Sequence, residues 1–580
     1  MILDYIEKTH AFVLKVEKGE MDPKALMEEH GLDYAEKVSD NRFDVMMTRE
    51  AYAAAIFANV ATERAAQVLR PITSQVELSR RIDSNAHIRC PADQELWGFQ
   101  KANVEYALGR KNTLVGDQPG LGKTPTAICL ANEINAKRVL VICPANIRLQ
   151  WNKFIRQWST MRWPYVVYPI LSGGRGVSPT AQWTIVSYDL ARTAEIGAAL
   201  ARGTYDLLIL DEAHYVKTSD SGRTRAIFGD HTGAMREAVR DGDKNIVGYR
   251  VLFEALASRC GAIIALTGTP LPNRPREAYT LARGLCFDSI DWMSEERFKD
   301  RFNPSYMAEK TVPLYGADGR PVLGSNGRQA VKTVRYTVEK AGRHGELQNR
   351  LRANFMTRHM KREVLTQLKM PEYDVITLEP NAAIRQALEA ESLLDIDPED
   401  ETLFKHKLDS FGGDIARVRH MMGVAKAPLV ADHIEMLLDG GEDKLVVFGW
   451  HVEVLNILER RLGKKWGIVR IDGTVGALRK QLLVDRFVGE AGVNLLLANM
   501  QSAGTGTDGL QKVSCHALFA ECSWVPGENQ QCVDRLDRGG QTRTVQADFL
   551  VAPKSIDERV LASSLTKVRE TDKVLDRRGW

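Results

Sequence analysis

Long apolar runs are missing from this chain of 580 residues. None approaches the roughly 18 residues that span a bilayer as a helix, so no membrane partner is expected. The N-terminal MILDYIEKTH has no basic region leading into an apolar stretch and does not read as a signal peptide. An excess of one charge is missing too: 78 Lys and Arg against 75 Asp and Glu leave a formal net charge of +3. That excludes a uniformly basic coat and leaves room for a local basic cleft. None of the eight cysteines forms a C-x-x-C pair, and Cys515, His516, Cys522 and Cys532 fit no common zinc spacing. Several cysteines sit in apolar runs such as RVLVICP, where a free thiol behaves as a small hydrophobe. The expectation is a reduced, intracellular protein of the cytoplasm or nucleoid, with a nuclear location left open. Low-complexity segments and strong internal repeats are lacking as well.

What is present is apolar content of 44%, spread over enough length for several cores. Residues 1–90 read as a mainly helical N-terminal domain, on the strength of the alanine-rich TREAYAAAIFANVATERAAQVL with Thr48 as its N-cap. From 91 to 285 the runs NTLVGD, RVLVICP, WTIVSYD, YDLLILDEAH and AIIALTGTP alternate with helical stretches, as buried parallel strands and their crossovers do. Residues 286–420 are more polar and more helical, with the turn-rich LYGADGRPVLGSNGRQ suggesting a hairpin. The basic residues Arg350, Arg352, Arg358, Lys361 and Arg362 there read equally well as a solvated helix face or a nucleic-acid contact. A second α/β texture fills 421–555, with KLVVFGW, GIVRIDG, VNLLLAN, HALFAE and VQADFLVA, and 556–580 reads as a charged bracing helix. The expected fold class is therefore α/β, with two parallel-sheet lobes.

The stretch GDQPGLGKTPTA, Gly116–Ala127, follows one such strand and opens a helix. Strand, glycine loop and helix in that order form the context in which a glycine-rich turn cradles phosphate. Gly120 and Gly122 admit phosphate oxygens close to the backbone, and the helix N-terminus adds unpaired N–H groups. Lys123 would neutralise phosphate charge and Thr124 would ligate magnesium. The strict G-x-x-x-x-G-K-[ST] pattern fails at its first position, Asp117, so a plain glycine turn stays open on this motif alone. YDLLILDEAH ends a buried strand on Asp211 and Glu212, at the strand end where parallel sheets bind ligands. Asp211 suits a metal ion, and Glu212 suits an attacking water. AIIALTGTP ends similarly on Thr267, Gly268 and Thr269, whose hydroxyls can sense phosphate. In QQCVDRLDRGGQ, Arg535 and Arg538 stand one helical turn apart and can fork onto phosphate oxygens.

These motifs, in this order over about residues 95–560, resemble those of the Swi/Snf-type ATPases of helicase superfamily two. LWGFQ is similar to the adenine-contacting glutamine motif, with Gln100 in that place, and DQPGLGKT to the first motif, which commonly begins with Asp. VICPANIRLQW, DEAH, LTGTPLPNRPRE, FMTRHMKREVLTQL, RIDGTV, QSAGTGTDGLQ and DRLDRGGQ follow in the family's order. DEAHYVKTSDSGRTRA and the region from Lys444 to Ala552 look closest to the compact annealing-helicase, fork-remodelling group.

The resemblance implies two RecA-like lobes, ATP and Mg2+ as cofactors, and double-stranded or forked DNA as partner, with the protein acting as a monomer. It implies an ATP site made of Gln100, Asp117, Gly120, Leu121, Gly122, Lys123, Thr124, Asp508, Arg535 and Arg538, with metal at Thr124 and Asp211. His214, Thr267, Gly268, Thr269 and Gln541 are implied in coupling. Asn146, Trp151, Ser187, Gly473, Thr474, Ser502, Arg358 and Lys361 are implied in holding DNA. Asp508 replaces a frequent Asn, and Asp537 and Gly539 replace the usual His and Ile. A segment from about Gly229 to Arg250 has the look of an insertion. The activity implied is translocation on duplex DNA driven by ATP hydrolysis. A strand-separating DNA or RNA helicase is the alternative, and a non-hydrolysing nucleic-acid scaffold is the alternative of another class.

Overall fold

The computed structural model describes residues 1–17, 35–39, 42–48, 50–161, 165–241, 245–271, 274–313, 331–339, 342–365, 369, 371–392, 401–503, 509–523, 526–555, 557–558 and 561. Asp508, the turn-rich stretch between 314 and 330, and nearly all of the 556–580 segment lie outside the described residues. The chain divides into two compact units, Met1–Phe302 with Gly342–Leu368, and Asn303–Ala341 with Lys369–Arg569.

The first unit opens differently from the sequence expectation. Strands β1 (Ile2–Ile6), β2 (Ala11–Glu17), β3 (Ala35–Ser39) and β4 (Arg42–Thr48) form an antiparallel sheet in the order β1-β2-β4-β3. Thr48 therefore ends a strand rather than capping a helix. Helical residues begin only at Ala51, and the long helix Glu63–Leu78 is capped by Thr62. The reason is tertiary: Ala11–Leu14 and Val16 are buried, and β2 is sandwiched between β1 and β4, so its apolar run is a central strand. The cap also ties helix to sheet, because Thr62 Oγ1 accepts from Ala65 N and donates to Asp4 Oδ1 at 3.1 Å. Thr62→Ala is expected to cost about 1 kcal/mol, measured as a lowered urea midpoint; an unchanged midpoint would refute the cap's role.

The central sheet of this unit follows the sequence reading closely. In chain order come β5 (Asn112–Val115), β6 (Val139–Cys143), β7 (Val167–Pro169), β8 (Trp183–Ser187) and β9 (Tyr205–Asp211). A hairpin of β10 (Ala234–Arg240) and β11 (Ile246–Glu254) accounts for the inserted segment, and β12 (Cys260–Leu266) follows it. The chain then passes through a second antiparallel hairpin, β13 (Ser305–Pro313) and β14 (Val331–Glu339), grouped with the other unit. It returns as the short β15 (Met356–Thr357). The sheet order is β15-β5-β12-β9-β6-β8-β7, and every pairing is parallel. Apolar clusters lie on both faces, as the continuous runs Val139–Cys143 and Leu207–Leu210 require.

The second unit is built on six parallel strands. These are β16 (Glu372–Thr377), β17 (Leu445–Gly449), β18 (Gly467–Ile471), β19 (Val493–Asn499), β20 (His516–Phe519) and β21 (Gln546–Val551). Their order is β16-β21-β20-β17-β19-β18, again with a core on each face. Among the described residues no helix is long and apolar enough to cross a membrane.

Candidate active site

Three neighbouring strands deliver the candidate site of the first unit to one edge. β12 lies between β5 and β9, and Leu266 is in register with both Val115 and Asp211. The glycine loop, the Thr-Gly-Thr turn and the Asp-Glu pair therefore leave the sheet at the same level, at its carboxyl edge. This is where a parallel sheet with helical crossovers leaves open backbone ends.

The glycine loop has the backbone that a cradle needs. Gly120 and Gly122 hold φ of 86° and 70°, in the left-handed region, and the helix Lys123–Glu133 starts directly after them. A Cβ on Gly122 would collide with Gln100 Nε2, which donates at 3.0 Å to the Leu121 carbonyl. Leu121 is fully buried beneath the loop. Gln100 Oε1 accepts from Trp97 N, so this side chain fixes the loop to its own helix start. Lys123 Nζ donates to the carbonyls of Asp117 (2.7 Å) and Gln118 (3.2 Å). Thr124 is half-buried in the first turn of the helix.

Asp117, the residue that breaks the strict phosphate-loop pattern, is the floor of the loop. Its side chain accepts from Asn103 Nδ2 at 2.6 Å and from both the backbone N and Nδ1 of His359 at 2.9 Å. His359 Nε2 lies 2.9 Å from the Arg81 carbonyl, which can only accept. Both ring nitrogens thus face acceptors, the arrangement of an imidazolium. Burial works against both charges, yet their mutual attraction holds Asp117 below and His359 above their ordinary values. Sequence reading missed Asn103 and His359. Asn103 follows Gln100 by one helical turn and was legible as a same-face neighbour, whereas His359 stands 242 residues from Asp117.

At the end of β9, Asp211 Oδ2 accepts from the Trp151 indole Nε1 at 2.7 Å and Oδ1 from Glu212 N at 2.9 Å. The Tyr188 hydroxyl donates to the Asp211 carbonyl at 2.8 Å. Burial, followed by the neighbouring Glu212 charge, raises Asp211 to about 6, and Lys123 opposes the rise. Glu212 sits at φ 52°, a left-handed conformation that a non-glycine residue adopts at a cost of about 1–3 kcal/mol. The turn aims its carboxylate at His214, whose Nδ1 lies 3.2 Å from Glu212 Oε2 and 3.2 Å from Thr267 Oγ1. Thr267 Oγ1 also accepts from Thr269 N, and Gly268 packs so closely on Pro119 that a Cβ there would clash. Acid pair, histidine and threonine turn therefore form one connected set touching the glycine loop.

Other expected site residues lie elsewhere than the sequence suggested. Trp151, expected on the DNA backbone, is 1% exposed and turned to Asp211. Arg358 and Lys361 are each 6% exposed. Arg358 donates to the carbonyls of Gly116 (2.7 Å) and Gly268 (3.3 Å), bracing the two loops from within. Arg350 and Arg352 are buried as well, with Arg350 paired to Glu346 at 2.8 Å. Four of the five cations of the basic stretch are therefore buried and offer no surface to a phosphate, whereas Arg362 is exposed. Ser187 is buried and caps the short helix after β8, and Ser502 is buried too. Asn146 is half-buried, whereas Gly473 and Thr474 are exposed, with Thr474 N and Oγ1 both donating to Asp472.

In the second unit the helix Pro526–Val533 ends before Arg535. Arg535 and Arg538, expected on one helical turn, lie in the tight turns that follow it, each half-buried. Gln541 points inward, donating to the Ser514 (2.9 Å) and Leu536 (3.2 Å) carbonyls. It fixes the arginine turn to the strand edge of its own unit.

Comparison with known proteins agrees with the motifs. Residues 62–229 match the family model of the SNF2-related domain. The chain is 26% identical over 494 residues to the Bos taurus "DNA annealing helicase and endonuclease ZRANB3", covering 83% of this chain and 41% of that protein. It is 27% identical over 518 residues to the Xenopus tropicalis SWI/SNF-related matrix-associated actin-dependent regulator of chromatin subfamily A-like protein 1, covering 88% and 47%. The chain thus spans less than half the length of these relatives. Among solved structures, the "Sulfolobus solfataricus SWI2/SNF2 ATPase core in complex with dsDNA" aligns over 86% of this chain at 17% identity and a TM-score of 0.34.

Proposed function

We propose that this chain, whose first unit carries an SNF2-related domain, is a DNA-dependent ATPase that moves on double-stranded DNA and remodels DNA structures or protein–DNA complexes. The observation that carries the reading is the common level of the glycine loop, Asp211–Glu212 and Thr267–Thr269 at one sheet edge, with Lys123 close enough to influence both Asp117 and Asp211. A left-handed glycine loop before a helix N-terminus, facing a buried carboxylate, fits a magnesium nucleotide.

In this reading the loop backbone and the helix start bind the phosphates, and Lys123 transfers its ammonium from the loop carbonyls to a phosphate oxygen. Thr124 and Asp211 would hold Mg2+, which when bound neutralises phosphate charge. Glu212 orients the attacking water and accepts its proton, while His214 and Thr267 sense the change beside it. Arg535 and Arg538 are proposed to add positive charge in the transition state. Gly473 and Thr474, both exposed, are the residues on which the proposed backbone grip in the second unit rests. DNA as partner is supported by the similarity to the DNA annealing helicase and endonuclease ZRANB3.

The test compares ATP turnover with single-stranded, duplex and forked DNA. Stimulation by duplex or forked DNA is expected; turnover indifferent to all three would overturn the proposal. Release of separated strands, with no reannealing activity, would favour the helicase alternative. Grip on phosphates releases counterions, so duplex affinity is expected to fall linearly on a log–log plot, by about tenfold or more between about 50 and 200 mM salt. A salt-independent affinity would exclude a backbone grip.

A further inference from the structure

Trp151 has no role in the chemistry described so far, yet it is among the largest fully buried side chains. It belongs to the helix Arg148–Trp158, which follows β6 and the turn Ala145–Ile147. β6 pairs directly with β9, so this helix start and Asp211 leave adjacent strands. An indole N–H can only donate, and it has one partner here, Asp211 Oδ2 at 2.7 Å. The other carboxylate oxygen is fixed by Glu212 N and the residue's carbonyl by the Tyr188 hydroxyl. The carboxylate is therefore locked in orientation, and each oxygen keeps a further lone pair for a ligand. Partners that orient a metal-binding group in this way commonly govern affinity for the ion by 10–100-fold.

We propose that Trp151 is a positioning residue for Asp211, setting the affinity of the site for its divalent cation from the helix that also carries the Asn146 turn. The inference rests on the reading of Asp211 as the metal carboxylate. It replaces the DNA contact that the sequence suggested for this tryptophan, and it makes the helix after β6 a physical link between the Asn146 turn and the metal position.

The experiment measures equilibrium binding of a fluorescent non-hydrolysable ATP analogue to the full chain while Mg2+ is titrated, and again in EDTA. Trp151→Phe is expected to raise the half-saturating Mg2+ concentration roughly tenfold or more, with metal-free analogue binding within about twofold of the parent. Should the phenylalanine variant fail to fold, benzothienylalanine at position 151 keeps the ring volume and deletes only the N–H; the same shift is expected. Half-saturation within about twofold of the parent for whichever folded variant is measured overturns the proposal. Asp211→Asn separates the two readings. If it abolishes the Mg2+ dependence while Trp151 substitution leaves it unmoved, positioning by Trp151 is wrong; if Asp211→Asn also leaves it unmoved, the metal assignment itself is wrong.

Discussion

Glu212→Gln is expected to lower ATP turnover by about 10²–10⁴-fold, the usual contribution of a positioned general base, while nucleotide affinity stays within a few-fold. The substitution keeps the size of the side chain and removes its ability to accept a proton. The effect should be large because the backbone fixes where this carboxylate points: φ at Glu212 is 52°, the left-handed region, immediately after a buried strand. The turn presents the carboxylate beside His214, which in turn meets Thr267. Lys123→Ala is the companion variant. It removes the cation that now rests on the Asp117 and Gln118 carbonyls, and loss of nucleotide binding is expected along with turnover. Steady-state ATPase assays with saturating DNA and direct nucleotide titration distinguish the two. Turnover within about threefold of the parent in both variants would refute the assignments.

Asp117→Ala should produce the largest stability loss, about 3–5 kcal/mol, the cost of removing one member of a buried ion pair. Asp117 is 1% and His359 1% exposed, so the orphaned imidazolium has no water to turn to. The first unit's urea transition is the measurement, and a loss under about 1 kcal/mol would contradict the pairing. The same pair predicts a pH dependence. The folded His359 is held above its ordinary value of 6.5 although burial and Arg352 oppose this, because Asp117 and the Arg81 carbonyl favour the charged form. A raised folded value means that the contribution is complete below about pH 6.5 and fades as pH rises through the folded value. Asp117, held below its ordinary value, loses its share only as acid protonates it. Stability of the parent is therefore expected to decline above about pH 6.5, and His359→Gln to abolish that part of the decline. Equal slopes in both proteins would show that the histidine does not carry the charge.

Much of this architecture was legible locally. Each apolar run read as a strand between residues 112 and 266 is one, because a run buried on both faces leaves little other choice. The inserted segment is a hairpin, and its sequence announced a break without announcing its shape. The N-terminal strands leave little local signal because their stability comes from pairing across the sheet, and the alanine-rich helix beside them dominates the local pattern.

Local chain order is enough to set out the chemistry at the strand ends: a glycine loop ending in Lys123 and Thr124, an acid pair at Asp211 and Glu212, a threonine turn at Thr267–Thr269. In each case the residues that matter are contiguous, and strand, loop and helix geometry places them without outside help. Which buried side chain serves which loop depends instead on contacts between distant parts of the chain. Trp151 reaches Asp211 across 60 residues, Arg358 reaches Gly116 across 242, and His359 closes on Asp117 across another 242. A tryptophan or an arginine has the same local signature on a DNA-facing surface as in a core, and only packing fixes whether its donor meets a phosphate or a carboxylate inside the protein.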